Sequence, residues 1–211
     1  MAVYLGPRCR QCRTESTKLF LKGERCTSDR CPVTKKRGLP GKGPRARLRK
    51  RSDYGYQLRE KQKVKRMYVM LEKQFKLFFS RAEKAKGITG ENLMSLLERR
   101  LDNVVYRMHF AASRKQARQL VSHGHVLVNG RRMSIPSHTL RPDDEVEVSE
   151  NSKKLMVIKE SLKEYSRAGV VPWLEVDPDK VWGKVRVAPQ KGDIADVSGI
   201  NEQLIVELYS K

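Results

Sequence analysis

Between Gly55 and Gly87 the chain carries neither glycine nor proline, and Val64, Met67, Tyr68, Leu71, Phe75, Phe78 and Phe79 recur at helical spacing. That stripe predicts more than one helix, with Tyr68 and the phenylalanines facing a core. Leu97, Leu101, Val104, Val105 and Met108 form a second helical stripe. Ser113 then reads as an N-cap for a helix whose Ala117, Leu120 and Val121 fall on one side, and Gly124 stands where a left-handed residue ends it. Val126-Leu-Val128 followed by Asn129-Gly130 is a hairpin signal. Further on, Leu155, Ile158, Leu162 and Tyr165 repeat at helical spacing, whereas Trp182, Val185 and Val187 alternate with polar residues as in a strand. Asn201 caps a short last helix. The elements add up to an α+β chain in which a helix pair and a small sheet follow a helical region.

Charge narrows the partner. The 211 residues hold 45 Lys and Arg against 24 Asp and Glu, a formal net charge of +21, with 38% apolar content that suffices for one or two modest cores. Residues 1–67 carry 21 basic and 5 acidic residues, residues 68–148 carry 14 and 9, and residues 149–211 carry 10 of each. Self-repelling charge concentrated at one end points to a polyanion, of which nucleic acid is the commonest. An anionic membrane is the rival, but no apolar run approaches the roughly 18 residues of a span and no signal peptide or lipidation motif is visible. A soluble intracellular protein is expected.

Two basic regions and one cysteine set carry the candidate chemistry. Arg114 and Arg118, four apart, share a helix face with Lys115 beside them, and this face is expected to be positive and solvent-exposed. Arg131 and Arg132 leave the hairpin turn and extend that surface, which suits a phosphate backbone. From Thr34 to Arg51 the chain is a basic, Gly- and Pro-rich arm without apolar stripe, expected to extend along a nucleic acid; a nuclear-localisation run or a solvated linker would have a similar composition. Tyr54 and Tyr56 stand outside the apolar stripe and suit base stacking. All four cysteines, Cys9, Cys12, Cys26 and Cys31, fall in two close pairs separated by a loop. Such pairs hold a tetrahedral zinc ion in a treble-clef or ribbon-like knuckle, with a structural role because four thiolates leave no open position. An iron-sulfur cluster takes the same ligands, and disulfides would require an oxidising compartment.

Longer blocks add a resemblance. Gln57-Leu-Arg-Glu-Lys-Gln-Lys-Val-Lys65, Thr89-Gly-Glu-Asn-Leu93, Leu101-Asp-Asn-Val-Val-Tyr-Arg-Met108, Ala117-Arg-Gln-Leu-Val-Ser-His123, Trp173-Leu-Glu-Val-Asp177 and Ile200-Asn-Glu-Gln-Leu-Ile-Val-Glu-Leu-Tyr-Ser-Lys211 closely resemble the S-four family of bacterial small-subunit ribosomal proteins, from end to end. The cysteine set resembles that family's zinc-carrying branch, with one structural zinc on Cys9, Cys12, Cys26 and Cys31. The resemblance implies a zinc knuckle and basic arm over residues 1–45 and a helical domain over 46–97 completed by 190–211. Residues 98–189 would be an inserted α/β RNA-binding module of two helices and a small, mainly antiparallel sheet.

It also implies a primary binder of small-subunit ribosomal RNA that seats on the five-way junction of the 5′ domain and nucleates assembly in the cytoplasmic ribosome. The position implied is beside ribosomal proteins S-three and S-five at the messenger RNA entry channel, with a contribution to decoding accuracy and, in some bacteria, repression of its own operon. The module from Arg99 to Arg132 matches the family's RNA-binding element, which makes Arg99, Arg107, Arg114, Lys115, Arg118, His123, Asn129, Arg131 and Arg132 expected contacts. Arg45, Arg47, Arg49, Lys50 and Arg51 match its basic segment near the messenger channel, continued by Tyr54, Arg59, Lys61, Lys63, Lys65 and Arg66. The loop between Pro32 and Ser52 departs from the family pattern, where a Gly-Gln-His-Gly run is common.

Two rivals belong to other classes. A similar helix and hairpin module accompanies RNA-modifying pseudouridine synthases and some tRNA synthetases, and Arg100-Leu101-Asp102 echoes a synthase triplet. The cheaper reading of Asp102 is an exposed helix position able to pair with Arg99. Too little chain follows for a catalytic domain, and none of His109, His123, His125 and His138 has an acid or nucleophile at a convincing offset. A zinc-dependent nucleic-acid-binding regulator would need a dimerisation segment, and none is evident. No catalytic residue is expected.

Overall fold

The computed structural model describes residues 4–41, 43, 50–163, 169–194 and 199–210; the expected RNA contacts Arg45, Arg47 and Arg49, and Tyr165 of the late stripe, lie outside them. The chain divides into two compact units, Met1–Gly90 with Gly199–Lys211, and Glu91–Ser198.

The first unit opens with two short helices, α1 (Arg8–Glu15) and α2 (Glu24–Thr27), and no strand forms among residues 4–41. Of the treble-clef and ribbon-like forms expected here, the ribbon is not seen: helices and turns carry the cysteines, with Cys12 and Glu15 on the buried side of α1 and Leu19 and Leu21 also buried. Next come α3 (Asp53–Met67) and α4 (Glu72–Lys84). The Ser52 hydroxyl accepts a hydrogen bond from Gly55 N at 3.3 Å and so starts α3. Its inward stripe is Gln57, Lys61, Val64 and Met67, and α4 turns Phe75, Phe78, Phe79 and Ala82 inward. Tyr68 is buried, but Leu71 is exposed because it serves as the N-cap of α4 and belongs to neither helical face.

The last helix, α10 (Glu202–Tyr209), packs on α3 with Asn201 as its cap, the side chain accepting from Gln203 N at 3.1 Å. Its anchors are polar and aromatic together. Gln57 Nε2 donates to Glu207 Oε2 at 3.0 Å, and the Tyr209 ring stacks on Phe79 with centroids 4.4 Å apart. The Tyr209 hydroxyl donates to Glu72 Oε1 at 3.1 Å, and the same carboxylate takes Lys61 at 2.6 Å and Lys65 at 2.7 Å.

The second unit is entered by α5 (Thr89–Glu98) and continues with α6 (Leu101–Arg107) and α7 (Arg114–Ser122). Five antiparallel strands follow: β1 (Val126–Val128), β2 (Arg131–Arg132), β3 (Glu145–Val148), β4 (Leu174–Asp177) and β5 (Trp182–Val185), in the order β2-β1-β3-β5-β4. Two short helices, α8 (Glu150–Lys153) and α9 (Met156–Leu162), lie between β3 and β4. Leu101, Val104, Val105 and Met108 of α6, with Ala117 and Val121 of α7, pack on Val126, Val146, Val148 and Val185 of the sheet, and Trp173 closes the same core. Gly183 sits at the closest approach: a Cβ there would lie 2.8 Å from both Met108 Cε and the Glu175 carbonyl. Asn129 and Gly130 take φ of 50° and 73°, the left-handed pair of a type I′ hairpin, and set Val128 opposite Arg131. Val187 lies beyond β5 and is exposed.

The Glu72 cluster generates a pH prediction. Burial opposes the charge of Glu72, but hydrogen bonds and charge from Lys61 and Lys65 outweigh it and hold the carboxyl at about 2, against a usual value of 4.5. A depressed pKa in the fold gives stability that is complete above the unfolded value and lost as pH falls through the folded one. Glu72→Gln should therefore lower the melting midpoint at pH 6, and the difference from the parent should close as pH falls from about 4.5 toward about 2. Circular dichroism melts across that range check it; a gap that persists at the acid end would contradict the assignment.

Candidate nucleic-acid interface

Burying an arginine is expensive unless its charge and donors are met, so the second unit's arginines sort by what meets them. Arg100 is 0% exposed and grips Asp102 in a fork, Nε to Oδ1 at 3.0 Å and a terminal nitrogen to Oδ2 at 2.6 Å. Arg118, 8% exposed, stands 3.7 Å from the same Oδ2. Burial lowers the pKa of Arg118, Asp102 raises it and Arg100 lowers it. Arg114, 3% exposed, donates from Nε to Asn103 Oδ1 at 2.8 Å and lies 4.6 Å over the Tyr106 ring. Asn103 in turn donates to Glu98 Oε2 at 2.8 Å, and Arg107 forks onto that carboxylate at 3.0 and 2.9 Å.

Two expectations are thereby corrected. Arg114 and Arg118 do not form a solvent-facing surface, and Asp102 is not an exposed partner of Arg99. The reason lies in the spacing: 114, 117, 118 and 121 are one helical stripe, so Ala117 and Val121 carry both arginines inward with them. The exposed side of α7 is one residue round, at Lys115, Gln119 and His123. Glu98 and Asn103 have no assigned role in the sequence reading, and Arg100 enters it only as part of the Arg100-Leu101-Asp102 triplet; the stripe that turns Arg114 and Arg118 inward signals only that buried partners must exist.

Exposed cations flank the turn that leads from α7 into the hairpin. Gly124 ends α7 at φ 73°, a left-handed conformation that favours glycine, and a Cβ there would lie 2.2 Å from Arg132 Nε and push the guanidinium aside. Arg132 donates to the His123 carbonyl at 3.0 Å across this turn. Arg131 and Arg132 are both exposed on the edge strand, and the His123 and His125 rings stand 6.0 Å apart. His125 shares a hydrogen bond with the Ser152 hydroxyl at 2.8 Å, and His109 with the Gly169 carbonyl at 3.0 Å. Asn129 is exposed but its amide is used within the fold, donating to Asp144 at 2.9 Å and accepting from Glu145 N at 2.8 Å. Arg99 is half-buried, burial lowers its pKa, and its Nε has no partner among the described residues.

In the first unit Lys50, Arg51, Tyr54 and Tyr56 are exposed around the start of α3. The cations that follow are tied down: Arg59 and Arg66 both bond Glu15, the former at 3.3 Å, and Lys63 bonds Glu60 at 2.6 Å. Burial raises the Glu15 pKa against the pull of Arg59 and Arg66. Lys61 and Lys65 share Glu72 as described.

The cysteines of α1, α2 and the following turn are all unbridged thiols, with Cys12, Cys26 and Cys31 buried and Cys9 half-buried. No group of three or more His, Cys, Asp or Glu side chains among the described residues stands as a metal-ion cage. Four thiols are the donor type that thiolate ligation uses, but burial favours the neutral form at Cys12 and Cys26. Lys22 N donates to Cys26 Sγ at 3.3 Å. Burial, and behind it the other three cysteines, raise the Cys12 pKa. For Cys31 burial acts the same way but is outweighed by Thr34 and Val33 N–H groups, so its pKa falls. Among the described residues no helix is long and apolar enough to cross a membrane.

A buried arginine and carboxylate scaffold beneath an exposed basic helix end and hairpin is the arrangement of a nucleic-acid-binding protein. Residues 99–146 match the family model described as S4 domain, and residues 3–98 match that of the ribosomal protein S4/S9 N-terminal domain. Over 211 residues, all of this chain and all of each relative, the chain is 53% identical to small ribosomal subunit protein uS4 of Trichlorobacter lovleyi, and 54% identical to the proteins of that name from Geotalea daltonii and Geobacter sulfurreducens. The chain belongs to the uS4 family of small ribosomal subunit proteins, whose members are structural and not enzymes.

The buried network makes a stability prediction. Asp102→Asn strips Arg100 of its carboxylate and should destabilise the second unit by about 3–5 kcal/mol. Arg118→Glu, which sets a carboxylate against Asp102, should also lower the urea midpoint. Equilibrium urea unfolding checks both, and midpoints equal to the parent would show that this network does not hold the helices.

Proposed function

We propose that the chain is a primary binder of small-subunit ribosomal RNA, docking its second unit on the RNA backbone through Lys115, His123, Arg131 and Arg132. The observation that carries this reading is the corner itself: exposed cations on a helix end and hairpin whose geometry is fixed by Gly124 and by the buried pairs beneath. Rigid presentation matters because phosphate contacts set register, and a loose side chain loses entropy on docking. Arg99, exposed in part, is the next contact, whereas Arg107, Arg114 and Arg118 act by positioning α6 and α7. Family membership favours the five-way junction of the 5′ domain as the RNA target and an early, nucleating role in assembly in the cytoplasmic ribosome.

Arg45, Arg47, Arg49, Lys50 and Arg51, with the exposed Tyr54 and Tyr56, are the second proposed set of contacts, with messenger RNA at the entry channel beside ribosomal proteins S-three and S-five. A contribution to decoding accuracy and repression of the protein's own operon belong to the same reading. Cys9, Cys12, Cys26 and Cys31 would hold one zinc ion. Bound there, the ion would stabilise the thiolates and cross-link α1 to the turn after α2.

Binding to small-subunit ribosomal RNA should weaken with salt at roughly 0.7 to 0.9 log units per contact for about 6 to 10 phosphates. At fixed salt, Arg131→Glu with Arg132→Glu should cost roughly 1.5 to 3 kcal/mol per lost contact. Reversal of the exposed Lys154 and Lys159 changes the net charge equally and should cost far less. Filter binding checks all three; equal losses in the two double variants would mean that the RNA senses only total charge.

The metal has its own test. Cys9→Ser with Cys12→Ser should abolish a stoichiometry of one zinc per chain measured by inductively coupled plasma mass spectrometry. The second unit should keep its fold and bind RNA more weakly. Equal metal content in variant and parent, or iron in place of zinc, would contradict the assignment.

A further inference from the structure

Outside the corner just described, the first unit contains a cavity between α1, the end of α3 and the turn that follows. Its polar wall is Arg8, Gln11, Gln62 and Arg66, and its apolar wall includes Val69 and Met70. Three features set it apart from packing space. Arg8 is only 7% exposed, yet its partners among the described residues are the carbonyl of Tyr4, at 2.5 Å, and the Tyr4 ring, 5.5 Å away; no carboxylate reaches it. A guanidinium so far desolvated without an acid is normally matched by something else. The Gln11 Oε1 atom is buried and accepts no hydrogen bond among the described residues. Val69 takes φ 54°, a left-handed conformation that a β-branched residue adopts at a penalty, where the Met70 N–H closes α3 on the Lys65 carbonyl at 2.9 Å.

The electrostatic balance agrees. Glu15 is shared by Arg59 and Arg66, Glu72 is shared by Lys61 and Lys65, and Arg8 has neither. A bare phosphodiester would answer Arg8 but carries no donor for the Gln11 oxygen, and it has no use for the apolar wall. A ligand with an anion, an N–H edge and a flat apolar face meets all three. We propose that this cavity seats one unstacked nucleotide of the bound RNA, with its phosphate at Arg8 and Arg66, its base on Val69 and Met70, and a base N–H donating to Gln11. Splayed-out nucleotides are how proteins read RNA that offers no open groove. The inference rests on the RNA-binding reading above and adds a contact that reads a base.

Two conservative variants of the full chain test it: Arg8→Met, which keeps the volume and removes the charge, and Gln11→Leu, which removes the acceptor. Against small-subunit ribosomal RNA at fixed salt, each should weaken binding, Arg8→Met by roughly 10-fold to 100-fold. The melting midpoint of free Arg8→Met should be unchanged or higher, since an unmatched buried charge is gone. A lowered midpoint accompanying the loss would overturn the proposal, because Arg8 would then serve the fold through Tyr4. In the parent chain, the side-chain amide resonances of Gln11 and Gln62 should shift on addition of ribonucleoside 5′-monophosphates and not with inorganic phosphate. Equal shifts with phosphate, or variants that bind RNA as the parent does, would also overturn it while leaving the RNA-binding reading intact. Failure of the parent itself to bind the RNA would overturn both.

Discussion

The second unit depends on matching buried guanidinium groups. Arg100, Arg107, Arg114 and Arg118 sit in or at the edge of an otherwise apolar core, and Glu98, Asp102 and Asn103 receive them. Apolar side chains would hold α6 and α7 together at least as strongly, since replacing buried ion pairs by hydrophobes is often neutral or stabilising. What the pairs add is direction. A forked Arg100–Asp102 contact and the Glu98–Asn103–Arg114 chain tolerate one helix register, and that register fixes where α7 ends and where the hairpin begins. The exposed corner inherits its precision from groups that never meet solvent.

Much of this architecture was legible in the sequence. Helical stripes announced α3, α4 and α6, Ser113 and Asn201 named two helix starts, and Asn129-Gly130 gave the hairpin and its register. These signals are local, decided within a few residues by capping, turn geometry and periodicity. Charge patterning misled where it competed with periodicity. Arg114 and Arg118 read as solvent-facing because arginine usually is, whereas their spacing from Ala117 and Val121 placed them inward. Their partners, the Asn103 amide and the Asp102 carboxylate, lie 11 or more residues earlier, on another helix, and pairing of that kind is invisible until the helices are docked. Leu71 failed in the opposite sense, an apolar residue read as core that a helix cap left in solvent.

The basic first third of the chain is less surface than its composition implied. Of its cations, Arg59, Lys61, Lys63, Lys65 and Arg66 are all engaged by Glu15, Glu60 or Glu72, so a share of the charge serves to join α1, α3 and α4. Two cations to one carboxylate is an incomplete match, and the surplus remains as a positive field around groups that are themselves held in place. Family membership and local chemistry converge here, since an RNA binder gains from preorganised charge that needs no reordering on docking.

The last helix has a temporal implication. Gln57 with Glu207, and Glu72 with Tyr209, join residues 150 and 137 positions apart, so the first unit is complete only when Gly199–Lys211 has been made. Glu91–Ser198 is contiguous and needs nothing downstream for its core. On the ribosome that synthesises it, the later-numbered unit is thus able to fold before the earlier one, reversing the usual order of emergence. A nascent chain would then present its hairpin corner while the remainder was still waiting for its closing segment.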